Sequence, residues 1–202
     1  MKFVKLVSVS IAVLFASSLF AQKANVWKEV QPGVWKTHIG NPHHISLLQA
    51  AGARALHEAL KILPSSHFPL TKSDIRIERL NNKIYLRFPL SQEEQVFGLG
   101  LNFQTVNQRG RILNLHVDHY GGKDNGRTHA PVPFYVSSKG YGVLIDAAAY
   151  MTVYAGSNVR VDAKNPPAIQ DRNSDKNWDS QPPSDVLEVL IPADGASIYV
   201  FA

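Results

Sequence analysis

The fifteen residues from Leu115 to His129 hold the densest set of chemically capable side chains in the chain. Asp118, Asp124, His116, His119, His129, Tyr120, Lys123 and Arg127 surround Gly121-Gly122. Carboxylates and amides bind vicinal hydroxyls, and aromatic faces stack on the apolar side of a pyranose ring, so this composition suits a sugar site. It equally suits a solvated loop whose Asp and Asn side chains hold turns, with Arg127 and Asp124 paired at the surface for little energy. Composition alone does not choose between them. The substrate-binding candidates are Asp118, Tyr120, Asp124, Arg127 and His129.

Other chemistries fit the run less well. Strand alternation sends His116 and His119 to opposite faces, which disfavours a zinc site, and no metal or other cofactor is expected. His43-His44 lies beside Pro42 in a surface loop. A serine nucleophile has no Gly-x-Ser-x-Gly elbow to anchor it. Asp118 and Asp124 share one loop that fixes no separation between them, so they are not read as a glycoside-cleaving pair. No catalytic residue is assigned.

The elements around this run read as short strands. Val34 to Ile39, Asp74 to Leu80 and Lys83 to Phe88 alternate apolar and polar residues, and Asn81-Asn82 supplies a tight turn between the last two. Further strands are expected at Ile112–Val117, Val132–Ser137, Gly142–Asp146, Met151–Ala155, Val159–Ala163, Asp185–Ile191 and Ser197–Phe201. Ser138-Lys139-Gly140 forms a turn, and Gly98-Leu99-Gly100 ends a strand in a bend or close backbone approach. Ser46 to Leu63, rich in Ala and Leu at helical spacing, is expected as a short helical insertion. Asn165 to Pro183 reads as a long surface loop. The fold class is all-β, a β-sandwich.

Met1 to Ala21 has the form of a signal peptide, with Lys2 and Lys5 ahead of an apolar run and small residues up to Ala21. The mature domain then spans 22–202, exported to the periplasm or the extracellular space, with no membrane partner after cleavage. The full sequence counts 21 Lys plus Arg against 16 Asp plus Glu. Basic residues are scattered rather than clustered, so nucleic acid is not an expected partner. The sequence contains no Cys, which excludes disulfides and thiolate metal sites.

Four segments occur in a recognisable order: Gln95-Val96-Phe97-Gly98-Leu99-Gly100, then Val117-Asp118 in a Gly-rich loop, then Pro131 to Ser137, then Gly140-Tyr141-Gly142-Val143-Leu144. This order resembles the N-terminal domain of family 31 glycoside hydrolases, a β-sandwich similar to galactose mutarotase. The resemblance implies an exo-acting retaining α-glycosidase whose two catalytic Asp residues sit on a following (β/α)8 barrel. Such a barrel needs about 250 residues. The chain is accordingly expected to be truncated before the barrel and inactive alone, with carbohydrate and the missing barrel as partners. In the family, the loop Asp can contact bound sugar, and Asp118 is the matching position. His119 and Tyr120 stand where small polar residues are common, and Leu115-His116-Val117 replaces the usual aromatic-Asn pair before the Asp.

Two functional readings result. One is the N-terminal domain of a secreted α-glycosidase that binds carbohydrate and walls the active-site pocket. The alternative is a free-standing secreted carbohydrate-binding module. A mutarotase-like enzyme ranks behind both, because it needs a well-placed His and Glu, and Glu188 falls in a core-facing strand. The apolar end Ile198-Tyr199-Val200-Phe201 favours the first reading, since a module ending there would expose a hydrophobic strand.

Overall fold

Alternation of apolar and polar residues builds two antiparallel sheets that bury one face each against the other. The computed structural model describes residues 26–42, 45–52, 66–80, 82–102, 104–117, 128, 130–157 and 184–202. The strands are β1 (Lys28–Gln31), β2 (Val34–Gly40), β3 (Arg76–Leu80), β4 (Lys83–Pro89), β5 (Val96–Gly98) and β6 (Arg111–Leu115). They continue as β7 (Phe134–Ser137), β8 (Gly142–Asp146), β9 (Met151–Ala155), β10 (Val186–Ile191) and β11 (Gly195–Phe201). One short helix, α1 (Leu47–Ala50), lies between β2 and β3. One sheet has the order β1-β2-β11-β8-β7-β5 and the other β3-β4-β10-β9-β6. This is the expected all-β sandwich.

Every second residue of the central strands points into the shared core. Ile84, Leu86 and Phe88 of β4 meet Val143 and Ile145 of β8, Leu187, Val189 and Ile191 of β10, and Ile198 and Val200 of β11 in one apolar cluster. Each such side chain, fully buried, contributes about 1.5–3 kcal/mol relative to exposure. Phe88 and Tyr135 cross between the sheets edge to face, with centroids 6.3 Å apart. At the margin, Phe68 packs on Trp27 and Trp35 at 5.0 and 5.5 Å.

The β3–β4 hairpin forms as expected, with Leu80 opposite Lys83 and Asn82 at φ +61 in the turn. Ile75 and Ile77 are buried, while Arg76 and Glu78 share the other face as an ion pair at 2.6 Å. Strand β3 starts only at Arg76, because Lys72–Asp74 closes a 3-10 turn first. Strand β7 starts at Phe134, after two prolines that have no N–H to give a ladder. Strand β1, mostly exposed at a sheet edge, has no alternation that would announce it.

Several expectations change. The helix begins at the Ser46 N-cap but spans Leu47–Ala50 alone, and Gly52 at φ +59 ends it after one turn. Residues 53–63 of the expected helix lie outside the described residues, as do His43-His44, the signal segment, the strand at 159–163 and the loop at 165–183. The apolar end at 198–201 is not an exposed edge. Strand β11 sits between β2 and β8, with Ile198 and Val200 in the core. The sandwich fully explains its apolarity. Glu188 is buried in β10 as expected, yet its side chain faces away from Leu187 and Val189 and accepts from the Tyr85 hydroxyl at 2.6 Å.

A second polar cluster ties β5, β7 and β8 together. The buried Glu94 carboxylate accepts from the Ser137 hydroxyl, the Tyr141 hydroxyl at 2.6 Å and the Ser91 amide at 2.8 Å. Burial and the neighbouring Glu94 hold the Tyr141 phenol far above its ordinary pKa. Burial, then Tyr141 and Glu94, do the same to Tyr135. Both phenols therefore stabilise the fold fully below the unfolded tyrosine pKa of about 10, and lose that contribution as pH rises beyond it. The urea midpoint of unfolding is expected to fall between about pH 10 and 11.5, with a shallower fall in Tyr141→Phe. A wild-type midpoint that stays flat over this interval would contradict the assignment.

Candidate functional site

The polar loop of the sequence leaves the sandwich from β6 and returns at Thr128. Asp118, Tyr120, Asp124, Arg127 and His129 lie outside the described residues. The base that carries them is described. Val117 and Thr128 form an isolated parallel bridge, and the Thr128 amide donates to the His116 carbonyl at 3.4 Å. The buried Thr128 hydroxyl donates to the Leu101 carbonyl, and the Leu101 amide donates to the Ala130 carbonyl at 3.2 Å. The returning end is thus pinned to the segment after β5, and the outgoing end is joined to the returning one.

That segment is the Gly98-Leu99-Gly100 bend. All three residues have positive φ, at +99, +62 and +101. Leu99 is nevertheless buried, and its amide donates to the Phe134 carbonyl at 2.8 Å. A Cβ on Gly100 would stand 2.4 Å from the Ala130 carbonyl oxygen, and one on Gly98 would stand 2.8 Å from that of Phe134. The Asn102 amide completes the bend by donating to the carbonyls of Gly98 and Gly100 at 3.2 and 3.1 Å. The close backbone approach expected from the two glycines is present, and it underlies the loop.

Beside the loop base the β8–β9 turn, residues 131–133 and α1 enclose an apolar groove of about 850 Å³. Ile45 and Leu47 wall it, held there by Asp146. The buried Asp146 carboxylate accepts from the Ser46 hydroxyl at 2.7 Å and the Leu48 amide at 3.1 Å. On the other side, His116 meets the exposed Tyr150 edge to face, with ring centroids 4.2 Å apart. Sequence reasoning treated His116 only as a candidate ligand and missed Tyr150. The signal available was the run Tyr150, Thr152, Tyr154, which places three polar-tipped residues on one strand face.

Among the described residues no set of three or more His, Asp or Glu side chains gathers to hold a metal. The buried carboxylates Glu94, Asp146 and Glu188 are each taken up in hydrogen bonds to hydroxyls of the fold. Register also separates the groups a mutarotase-like mechanism would need. Glu188 pairs through Tyr154 with Ile112, four residues short of His116. At the strand rise that is about 13 Å along the sheet.

The bend makes a direct prediction. Gly100→Ala meets backbone at 2.4 Å in addition to its positive φ, whereas Gly110, at φ +85, has nothing within 4 Å. Gly100→Ala is expected to cost about 3 kcal/mol or more and Gly110→Ala about 1 kcal/mol in chemical denaturation. Equal losses would show that the close approach to Ala130 is not a constraint.

Comparison with known proteins places this geometry. The family model of the glycosyl hydrolase 31 N-terminal galactose mutarotase-like domain matches residues 40–153, more than half of the chain. The chain is 31% identical over 90 residues to alpha-xylosidase XylQ of Lactiplantibacillus pentosus, covering 43% of this chain and 12% of that protein. It is 28% identical over 81 residues to an isomaltosyltransferase of Sporosarcina globispora, covering 40% of this chain and 7% of that protein. Among solved structures, a Flavobacterium johnsoniae family 31 dextranase complexed with glucose aligns with a TM-score of 0.45 at 20% identity, over 88% of this chain and 19% of that chain. The aligned segments thus span a small part of these larger enzymes. The chain belongs to the glycosyl hydrolase 31 N-terminal galactose mutarotase-like domain family.

Proposed function

We propose that this chain serves as the sugar-recognising N-terminal domain of an exported retaining α-glycosidase, and that its 118–129 loop walls the sugar pocket of a catalytic barrel. The observation that carries the reading is the family match over residues 40–153, which contains the whole loop and the base that holds it. The reading is supported by the base of the segment, where Val117 is bridged to Thr128 and Thr128 is held on the bend, because a pocket wall needs an anchored base. In this reading Asp118 accepts hydrogen bonds from sugar hydroxyls, with Tyr120, Asp124, Arg127 and His129 beside it. The acid and the nucleophile are supplied by the barrel, because retaining cleavage needs two carboxyl groups about 5 Å apart. The leader at Met1–Ala21 delivers the protein to the periplasm or the extracellular space.

The free-standing carbohydrate-binding module is the second reading. The interior position of β11 removes the objection that an exposed apolar strand raised against it. Both readings share the sugar loop and differ in turnover.

In an enzyme that joins this chain to its barrel, Asp118→Ala is expected to lower kcat/KM by about tenfold or more through KM. The Tm should shift by less than about 2 °C, because the substitution lies on a loop. The 202-residue chain by itself is expected to release no 4-nitrophenol from aryl α-glycosides. Unchanged kinetics in the variant would remove the loop from the pocket, and turnover by the isolated chain would overturn the division of labour.

A further inference from the structure

The outer face of the β9–β6 ladder carries features that neither the core nor the loop uses. Met151, Val153 and Ala155 point into the core, which leaves Thr152 and Tyr154 on the opposite face, in line with Tyr150. Across the ladder Asn114 pairs with Thr152 and Ile112 with Tyr154. Together with Lys83, His116, Leu190 and Pro192, the residues Asn114, Tyr150, Thr152 and Tyr154 line an open groove of about 530 Å³. That volume lies in the usual range for small-molecule sites.

The side chains are arranged as a platform with polar contacts along it. Tyr150 is 66% exposed, an unusual position for so large a ring, and the perpendicular His116 ring braces it at 4.2 Å. The Thr152 hydroxyl donates to the Asn114 side-chain oxygen at 3.1 Å. This bond fixes the amide, leaving its two N–H donors and the Thr152 oxygen lone pairs for a ligand. Tyr154 lies four residues from Tyr150, about 13 Å along the strand. Lys83, exposed at the start of β4, adds an ammonium to the rim.

We infer that this groove is a second carbohydrate-binding surface, which takes a short pyranose oligosaccharide laid along β9 from Tyr150 toward Tyr154. The ring of Tyr150 stacks on the apolar face of one sugar unit, and Asn114, Thr152 and Lys83 meet its hydroxyls and those of the next. Binding without cleavage is expected from the lining, which contains no carboxylate among the described residues and hence no acid and nucleophile. A nucleic acid would need a track of cations along its backbone, and the groove presents a single lysine among the described residues. The apolar groove beside α1 shares Lys83, Tyr150, Met151 and Pro192 with this one. The inference stands independently of the loop assignment.

The test is an NMR titration of the 202-residue chain with maltotetraose, isomaltotetraose and xylotetraose, repeated on Tyr150→Ala, Asn114→Ala and Asp118→Ala. At least one tetrasaccharide is expected to bind and to shift resonances of Asn114, Thr152 and Tyr154. Tyr150→Ala should weaken that binding by about tenfold, as loss of an aromatic anchor does, and Asn114→Ala by about fivefold. Asp118→Ala tells the two sites apart: it should remove any binding at the loop and keep the shifts at Asn114, Thr152 and Tyr154. No binding of any of the three sugars to wild-type chain overturns the inference. So does binding that both groove variants retain at full strength, or binding lost in Asp118→Ala alone, which would place the sugar at the loop. Thermal melting of each variant separates loss of the site from loss of fold, and Asn114→Ala decides the matter should Tyr150→Ala unfold.

Discussion

The chain turns at Gly98-Leu99-Gly100 by bringing backbone against backbone with no room for a side chain between. Three consecutive positive φ angles follow at the end of β5, and the carbonyls of Phe134 and Ala130 close in where a Cβ would stand. The approach allows Leu99 to bury its side chain and puts the Leu101 carbonyl within reach of Thr128. The edge of the six-stranded sheet, the return of the polar loop and the wall of residues 131–133 all depend on it. Backbone hydrogen bonds across such a contact replace water that the close packing excludes.

With no Cys in the sequence, the sandwich is cross-linked by buried polar groups instead. Glu94 holds Ser91, Ser137 and Tyr141 together, and Asp146 holds α1 against the end of β8. Arg109 spans three carbonyls, those of Ser91, Glu94 and Ser184, at 2.7–3.0 Å, with Gly156 packed directly on its guanidinium. Burying a charge is costly, and the Glu94 and Asp146 carboxylates offset that cost through the several bonds each makes. The consequence for function is that these two carboxylates and one guanidinium are committed to architecture. In the proposed reading, recognition is left to the 118–129 segment and to the surface groove beside Tyr150.

Much of this was legible in the sequence, because a half-buried strand writes itself as a period of two. Lys83 to Phe88 and Met151 to Ala155 follow that rule, and Asn82 and Gly140 mark turns. The ordered segments from Gln95 to Leu144 carried the family resemblance, which the match over residues 40–153 bears out. Local reading failed where a partner decides. The exposed edge β1 has no face to alternate. The strand at 198–201 read as an exposed end, because its neighbours β2 and β8 lie far from it in the chain.

Residue types within a few positions of one another were enough for the all-β class, the bend and the family. Three other facts emerged with the folded arrangement: β11 is an interior strand, Glu94 and Asp146 are cross-links, and Tyr150, Asn114 and Thr152 share a groove. These depend on strand order and register between residues tens of positions apart. Chain periodicity fixes which face a side chain takes but not what stands opposite it.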